Sequence, residues 1–143
     1  MRYLASVYVD LDHFLITSKD PAKLDESAMF RRTYCIADIG QGRWKNPFKF
    51  FLAMVQVLCI FLRERPDFLL STGCGIAVPG FLIARFFGAR TIYVEAGARV
   101  CNLSKTGLIC YYLSDLFLVQ HPAVTKNWPK AVYRGAIFQH LAG

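Results

Sequence analysis

A short loop with two glycines, Ser71-Thr72-Gly73-Cys74-Gly75, is the part of the sequence best suited to chemistry. Glycines at this spacing let a phosphate approach the backbone without a Cβ in the way. A helix that begins directly behind such a loop offers an anion its free N–H groups and the positive end of its dipole. The loop therefore predicts an anion site formed by Thr72, Gly73 and Gly75. A Gly-x-Gly pair by itself is equally compatible with a plain tight turn.

The residues around the loop predict a strand, a helix and a second strand. Residues 68–70 are a short apolar run, which predicts a strand buried on both faces. Pro79 suits the first turn of a helix, and Gly88 suits its C-terminal cap. The β-branched and aromatic residues 91–94 predict the second strand. Two strands joined by one helix are expected to be parallel, with a right-handed crossover.

Glu95 and Arg99 follow the second of these strands. Parallel strands place their carboxyl ends on one edge of a sheet, which is the edge where α/β proteins bind ligands. We therefore expect Glu95 and Arg99 to line a crevice beside the glycine loop. The alternative reading is that the two side chains form a solvated ion pair.

A long apolar helix, predicted over residues 47–65, precedes this unit. One stripe of it is expected to pack on the sheet; its members are Phe48, Phe51, Leu52, Val55, Cys59 and Leu62. The opposite side is apolar too, so the helix should be covered on both sides or meet a partner or a lipid surface. Basic and aromatic residues near its start fit an anchor on anionic headgroups; the candidate membrane contacts are Arg43, Trp44, Lys45, Lys49 and Phe50. A core helix with a solvated basic cap is the alternative.

Composition indicates one domain over residues 1–143, with a basic surface that favours phosphates or anionic lipid as partners. Hydrophobic residues make up 55% of the chain, which is enough for a packed core. Residues 1–38 carry a net charge of −1 and residues 39–143 a net charge of +8. No run resembles a nucleic-acid-binding motif, so we expect no nucleic acid partner. Asp10 and Asp12 interrupt any signal peptide, and the apolar run 50–62 is too short to span a bilayer.

The cysteines and histidines indicate neither a disulfide framework nor a metal site. The five cysteines have no Cys-x-x-Cys pairing and are predicted to be reduced core residues. Cys74 lies in the glycine loop, but no histidine base is near it in sequence. The three histidines, His13, His121 and His140, stand singly, so we predict no metal and no cofactor.

The remaining segments alternate between strand and helix patterns. Strands are predicted over residues 14–17, 33–39, 115–120 and 131–134, and helices over 22–29, 108–113 and 123–130. Residues 102–107 are expected to form a polar loop, and residues 2–11 fit either a helix end or a strand. This alternation predicts an α/β, Rossmann-like doubly wound parallel sheet.

Several of these segments together resemble the oligosaccharide-biosynthesis family. The residues that carry the resemblance are Arg65-Pro66-Asp67, the loop and helix start from Ser71 to Pro79, Ala89-Arg90-Thr91-Ile92-Tyr93-Val94-Glu95, Ala98-Arg99-Val100, and Asp115-Leu116-Phe117-Leu118-Val119-Gln120. The eukaryotic member of the family is the membrane-anchoring subunit of the two-part UDP-N-acetylglucosamine transferase that extends dolichol-linked sugar. Bacterial members are capsule and exopolysaccharide proteins.

The resemblance implies the N-terminal, acceptor-side half of a split GT-B glycosyltransferase that is inactive without its catalytic partner. The partner would supply the UDP-sugar site, and the acceptor would be a polyprenyl-diphosphate-linked glycan. Gly73 and Gly75 would face the lipid diphosphate, while Glu95 and Arg99 would line the cleft between the halves. The implied location is peripheral, on the cytoplasmic face of the cell membrane.

One departure from the family pattern concerns its first strand. Members normally begin with a strand ending in a Ser-Gly-Gly-His loop, and this sequence contains neither. Since that strand is central in a doubly wound sheet, its neighbours would lack the strand between them. The alternative function is a stand-alone nucleotide-binding or regulatory domain. The loop, however, lacks Gly-x-Gly-x-x-Gly spacing and a P-loop lysine.

Overall fold

The computed structural model describes residues 12–17, 30, 32–36, 47–73, 75–97 and 102–135. The strands are β1 (Phe14–Thr17), β2 (Arg32–Cys35), β3 (Phe68–Ser71), β4 (Arg90–Val94), β5 (Leu116–Val119) and β6 (Ala131–Tyr133). The helices are α1 (Pro47–Glu64), α2 (Ala77–Phe87), α3 (Lys105–Leu113) and α4 (Pro122–Asn127). The predictions for residues 2–11 and 22–29 lie outside the described residues.

The strands β3 to β6 form one parallel sheet in sequence order. In register, Leu69 pairs with Thr91, Ile92 with Leu116, and Phe117 with Ala131. The parallel, doubly wound arrangement predicted from the sequence is confirmed here. All four carboxyl strand ends therefore lie on one edge of this sheet, which we call the carboxyl edge.

The strands β1 and β2 form a second parallel pair. Among the described strands, no pairing joins β1 to β3. The pair is instead held through side chains at the end of α1. Arg32 bonds the Asp12 carboxylate and Glu64 at 2.7 Å, and the Tyr34 hydroxyl donates to Glu64. The buried side chain of Glu64 thus links α1 to this pair of strands.

The helix α2 forms and ends as its sequence predicts. Gly88 adopts a left-handed φ of 74° and its N–H bonds the carbonyls of Ala84 and Arg85, which closes the helix. Gly80 lets the helix lie close to β3, since a Cβ there would be 3.2 Å from Leu69 Cδ2. The predicted strand–loop–helix–strand unit is confirmed.

The core has two clusters, one on each side of α2. In the first, the Tyr93 and Phe117 rings stack at 5.0 Å, and Phe81 meets Tyr93 edge-on at 6.0 Å. The second joins Phe61 and other α1 residues to Ile83 of α2, and β1 packs against it. Burial of these side chains is the main favourable term that holds the helices on the strands.

The predicted orientation of α1 is wrong. The stripe expected to pack on the sheet faces outward, with Phe48 73% and Phe51 66% exposed. The buried residues are Ala53, Val57, Ile60 and Phe61. Both sides of the helix are apolar, so residue type alone does not decide which side packs. We call the exposed set the outer stripe: Phe48, Phe51, Leu52, Val55, Leu58, Cys59 and Leu62.

Three smaller predictions are also corrected. The strand β3 is not buried on both faces, because Phe68 is exposed and the other three residues of the strand are only half-buried. Residues 105–107 are the first turn of α3, because the Ser104 hydroxyl accepts from the Gly107 N–H and caps the helix. Among the cysteines, Cys110 is buried as predicted, but Cys35 and Cys59 are exposed.

Candidate functional site: the carboxyl edge of the sheet

The glycine loop and the end of β4 lie against each other at the carboxyl edge. A Cβ built on Gly73 would lie 3.9 Å from the Ala96 nitrogen and 3.6 Å from the Tyr93 hydroxyl. Gly73 has a φ of 98°, which favours glycine at this position. The backbone conformation, rather than lack of space, therefore favours glycine here, and the structure brings together the two segments that the sequence predicted to share a crevice.

The loop leads directly into the N-terminus of α2. Ile76 occupies the N-cap position and makes no side-chain capping bond. The first-turn N–H groups of Ala77 and Val78 consequently have no side-chain acceptor from the cap. Thr72 is exposed beside them, and Gly75 is half-buried. Thr72, Gly73 and Gly75 are thus grouped around a helix end that favours negative charge.

Glu95 is buried rather than solvated, with 1% exposure. Its Oε1 accepts from the Ala96 N–H at 3.1 Å, and its Oε2 accepts from the Ser104 N–H and hydroxyl at 3.3 Å each. The alternative of a solvated ion pair with Arg99 is therefore wrong. Arg99 itself lies outside the described residues. The carboxylate joins the end of β4 to the start of α3, which fixes the two ends of the segment between them.

Gly107 makes room for this carboxylate. A Cβ at Gly107 would lie 1.8 Å from Glu95 Oε2, which is closer than atoms can approach. Glycine is consequently required one turn into α3, above the Glu95 side chain. The sequence reasoning missed this pair; Ser104, a residue type favoured at helix N-caps, was the available signal of the helix start.

Gln120 and His121 also belong to this edge, and the sequence reasoning missed both. Gln120 Nε2 donates to the Glu95 carbonyl at 3.0 Å, and His121 Nε2 lies 2.8 Å from the Gly97 carbonyl. Both residues follow β5, so they meet the turn after β4 from the side opposite the glycine loop. A polar residue directly after a predicted parallel strand was the available signal.

Burial changes the chemistry of one cysteine beneath this site. Cys110 of α3 is fully buried, and desolvation, with a smaller contribution from the charge of Glu95, raises the pKa of its thiol to about 12. The thiol therefore stays protonated at neutral pH and is a packing group. Cys74 lies outside the described residues.

The opposite edge of the sheet carries a different polar arrangement and a cavity. The Thr91 N–H and hydroxyl donate to Asp115 and lower the pKa of its carboxyl group. A cavity of about 360 Å³ opens at this edge, far from the glycine loop. It is lined by Phe61, Leu62, Arg65, Pro66, Asp67, Phe87, Gly88 and Ala89. None of the predicted acceptor residues lines it.

The candidate membrane contacts are only partly within the described residues. Lys49 is exposed and Phe50 is half-buried in the first turn of α1, while Arg43, Trp44 and Lys45 lie outside. The outer stripe continues along α1, and Phe86 and Phe87 of α2 add to the exposed apolar surface. In the part of the chain that the structure describes, no helix is long and apolar enough to cross a bilayer. Nor do three or more potential metal ligands cluster there.

Comparison with known proteins identifies the family. The model described as oligosaccharide biosynthesis protein Alg14 like matches residues 15–137. The human UDP-N-acetylglucosamine transferase subunit ALG14 is 42% identical, over 82% of this chain and 60% of the human protein. The mouse subunit is 35% identical, over 70% of this chain and 49% of its own. The Schizosaccharomyces pombe subunit is 38% identical, over 69% of this chain and 51% of its own length. The chain thus spans about half to three fifths of these relatives.

A solved structure agrees in fold. The crystal structure of Acinetobacter baumannii MurG superposes with a TM-score of 0.67 at 19% identity, covering 85% of this chain and 35% of that one. The fold is therefore a Rossmann-like parallel α/β domain corresponding to the N-terminal half of a GT-B glycosyltransferase. With the family model matching most of its length, the chain belongs to the Alg14-like family of oligosaccharide-biosynthesis proteins.

Proposed function

We propose that this chain is the acceptor-binding and membrane-recruiting subunit of a heteromeric GT-B glycosyltransferase. The complex adds a sugar from a UDP-sugar to a polyprenyl-diphosphate-linked glycan in oligosaccharide, capsule or exopolysaccharide synthesis. The printed names of the relatives, each a UDP-N-acetylglucosamine transferase subunit, favour N-acetylglucosamine as the sugar. The catalytic, UDP-sugar-binding site belongs to a partner protein, and the chain acts at the cytoplasmic face of the membrane.

The observation that carries the acceptor role is the glycine loop at the uncapped N-terminus of α2, packed against the end of β4. Backbone N–H groups and a helix dipole attract a diphosphate without needing a cationic side chain. We assign Thr72, Gly73 and Gly75 to that diphosphate. We place Glu95 and Arg99 at the cleft, where Glu95 acts through its bonds to Ala96 and Ser104.

The outer stripe and its charges support the membrane role. Burying one such side chain contributes about 1.5–3 kcal/mol, so several together favour a lipid surface. The helices α1 and α2 also carry the exposed cations Lys49, Arg63 and Arg85. Their one acidic residue, Glu64, is buried and bound to Arg32. An apolar face rimmed by positive charge suits anionic headgroups, with Arg43, Trp44 and Lys45 as further contacts.

Reconstitution of sugar transfer tests the proposal. Purified chain and catalytic partner are mixed with a radiolabelled UDP-sugar and a polyprenyl-diphosphate-linked sugar acceptor, each protein alone serving as a control. We expect product only when both proteins are present. Full activity from the partner alone would refute the proposal, and tight binding of UDP or NAD by this chain alone would favour a stand-alone nucleotide-binding domain.

A further inference from the structure

The cavity at the edge of the sheet opposite the carboxyl edge takes no part in the function proposed above, and we call it the amino-edge cavity. Its volume of about 360 Å³ lies within the range of small-molecule sites, about 300–1,000 Å³. It lies between the last turn of α1 and the C-terminal cap of α2. The chemistry of the side chains around it indicates what it could hold.

The apolar part of the cavity is built around two phenylalanine rings. Phe61 is fully buried, and its ring centroid lies 6.1 Å from that of Phe87, which is still 41% exposed. A Cβ built on Gly88 would meet nothing within 4 Å, so space is left beside the rings. An apolar occupant is favoured there, because it would remove the exposed part of Phe87 from water.

The cavity is continuous with the surface that we propose meets the membrane. Leu62 is the last member of the outer stripe, and it also lines the cavity. Phe87 lines the cavity too, and its neighbour Phe86 is 87% exposed and meets it edge-on at 5.7 Å. An acyl chain from a lipid can reach the cavity along these side chains, so the inference rests on the membrane role proposed above.

Two side chains of opposite charge also line the cavity. Arg65 and Asp67 are both exposed, and neither forms an ion pair among the described residues. Arg65 has a φ of 45°, in the left-handed region where an arginine is uncommon. Its guanidinium suits a phosphate, and the Asp67 carboxylate suits an ammonium group.

A headgroup that carries both charges fits this arrangement better than a headgroup with one. A purely anionic headgroup would meet Asp67 and the negative dipole ends of α1 and α2, which finish at the cavity. A purely cationic headgroup would meet Arg65. A phosphate followed by a primary ammonium group avoids both conflicts.

We propose that the amino-edge cavity binds a zwitterionic phospholipid of the phosphatidylethanolamine type. One acyl chain lies against Phe61 and Phe87, the phosphate lies on Arg65, and the ammonium group lies beside Asp67. The bound lipid holds the C-terminal end of α1 at the membrane surface, while the outer stripe contacts the surrounding bilayer.

Titration of the full chain with a short-chain lysophosphatidylethanolamine tests the site. The lipid is kept below the concentration at which it forms micelles, so that only the binding of single molecules is measured. We expect calorimetry to show saturable binding of a single lipid molecule per chain. A nitroxide at the end of the acyl chain should broaden the methyl resonance of Ala89, which is buried and lines the cavity.

Two pairs of variants separate the cavity from the surface around it. Phe87→Asp should weaken lipid binding about tenfold or more, whereas Phe86→Asp, which is outside the cavity, should change it by less than about twofold. Arg65→Glu should also weaken binding about tenfold or more. Arg90→Glu, exposed at the same edge but outside the cavity, is its matched control. Circular dichroism checks that each variant is folded.

The headgroup assignment has a test of its own. Asp67→Asn should weaken binding of lysophosphatidylethanolamine but not of lysophosphatidylglycerol, which has no ammonium group. If wild type binds both lipids equally tightly, the assignment of Asp67 to the ammonium group is wrong.

The remaining outcomes separate the cavity from the membrane role. Equal losses in both members of either variant pair would overturn the site, because they would reflect the general charge or apolarity of the surface. If wild type sediments with phosphatidylserine vesicles but binds no single lipid molecules, the cavity inference fails and the membrane role stands. If it does neither, both fail.

Discussion

The carboxyl edge of the sheet and the outer stripe of α1 are built in opposite ways. At the carboxyl edge, polar side chains are bound to the backbone: the buried Glu95 to Ala96 and Ser104, the buried Gln120 to Glu95, and the half-buried His121 to Gly97. Along the outer stripe, side chains that are apolar are exposed to solvent. The bonded polar side chains fix the geometry of the carboxyl edge at little cost, whereas exposed apolar surface is unfavourable in water and indicates that the outer stripe meets a partner or a lipid surface.

The two regions should therefore respond to different perturbations. Substitutions at the carboxyl edge remove positioning bonds and should alter both stability and diphosphate binding. Substitutions of the most exposed residues of the outer stripe, such as Phe48 and Phe51, remove little packing in the described fold and should alter mainly the surface interaction.

The two faces of α1 should differ most in stability. Phe61 is fully buried, so Phe61→Ala should cost about 3–5 kcal/mol of unfolding free energy. Phe51→Ala on the outer stripe should stay within about 0.5 kcal/mol of wild type. Urea denaturation followed by circular dichroism measures both. Equal losses would mean that the outer stripe is packed in solution.

Gly107 should be the most sensitive glycine at the carboxyl edge. In Gly107→Ala the new Cβ meets the Glu95 carboxylate, so we expect a loss of about 1–3 kcal/mol. Lys105→Ala, at the exposed start of the same helix, is the control and should change stability by less than about 0.5 kcal/mol. Thermal unfolding of the variants measures the difference. A Gly107→Ala protein as stable as the control would show that Glu95 does not lie against α3.

The thiol reactivities of Cys59 and Cys110 compare the two regions, because Cys59 lies on the outer stripe and Cys110 lies beneath the carboxyl edge. Cys59 is exposed on the outer stripe, whereas Cys110 is buried with a thiol pKa of about 12. Near pH 8, about 10⁻⁴ of the Cys110 thiol is ionised, and burial blocks access as well. We expect maleimide to modify Cys59 at least about a thousandfold faster than Cys110 in the folded chain. Peptide mass spectrometry distinguishes the sites, and urea should abolish the difference.

The smallest expected effect concerns the hydrogen bond between Tyr34 of β2 and Glu64 of α1, whose contribution to stability should change at alkaline pH. The Tyr34 hydroxyl donates to Glu64, and chiefly for this reason the pKa of Tyr34 is raised. Its contribution to stability is therefore complete below about pH 10, the ordinary tyrosine value, and is lost as the pH rises through the raised value. Tyr34→Phe should be less stable than wild type at neutral pH, and the difference should shrink in strong alkali. A constant difference across this range would show that the hydrogen bond is not formed.

Local patterns explain what was predictable from sequence. The unit from β3 to β4 was predicted because Gly88, Pro79 and the β-branched residues 91–94 act within a few neighbours. The side of α1 that packs in the core was not predictable, because a helix that is apolar on both sides has no hydrophobic periodicity to distinguish them. The Glu95 bond to Ser104 and the His121 bond to Gly97 join residues from different elements. Only the folded chain brings such pairs together.

The central claim is that the carboxyl edge holds the acceptor diphosphate and the outer stripe holds the membrane. Gly75→Val tests the first region, because a branched side chain at this position would hinder the approach of an anion to the loop. Phe51→Asp tests the second. Both variants are measured for binding of farnesyl diphosphate by calorimetry and of phosphatidylserine vesicles by sedimentation.

We predict that Gly75→Val weakens diphosphate binding by about tenfold or more and leaves vesicle binding unchanged. Phe51→Asp should do the reverse, with neutral phosphatidylcholine vesicles binding the wild type weakly. Loss of both activities in both variants would mean that one surface serves both ligands, and loss of neither would mean that these regions are not the binding surfaces. Either result would contradict the account.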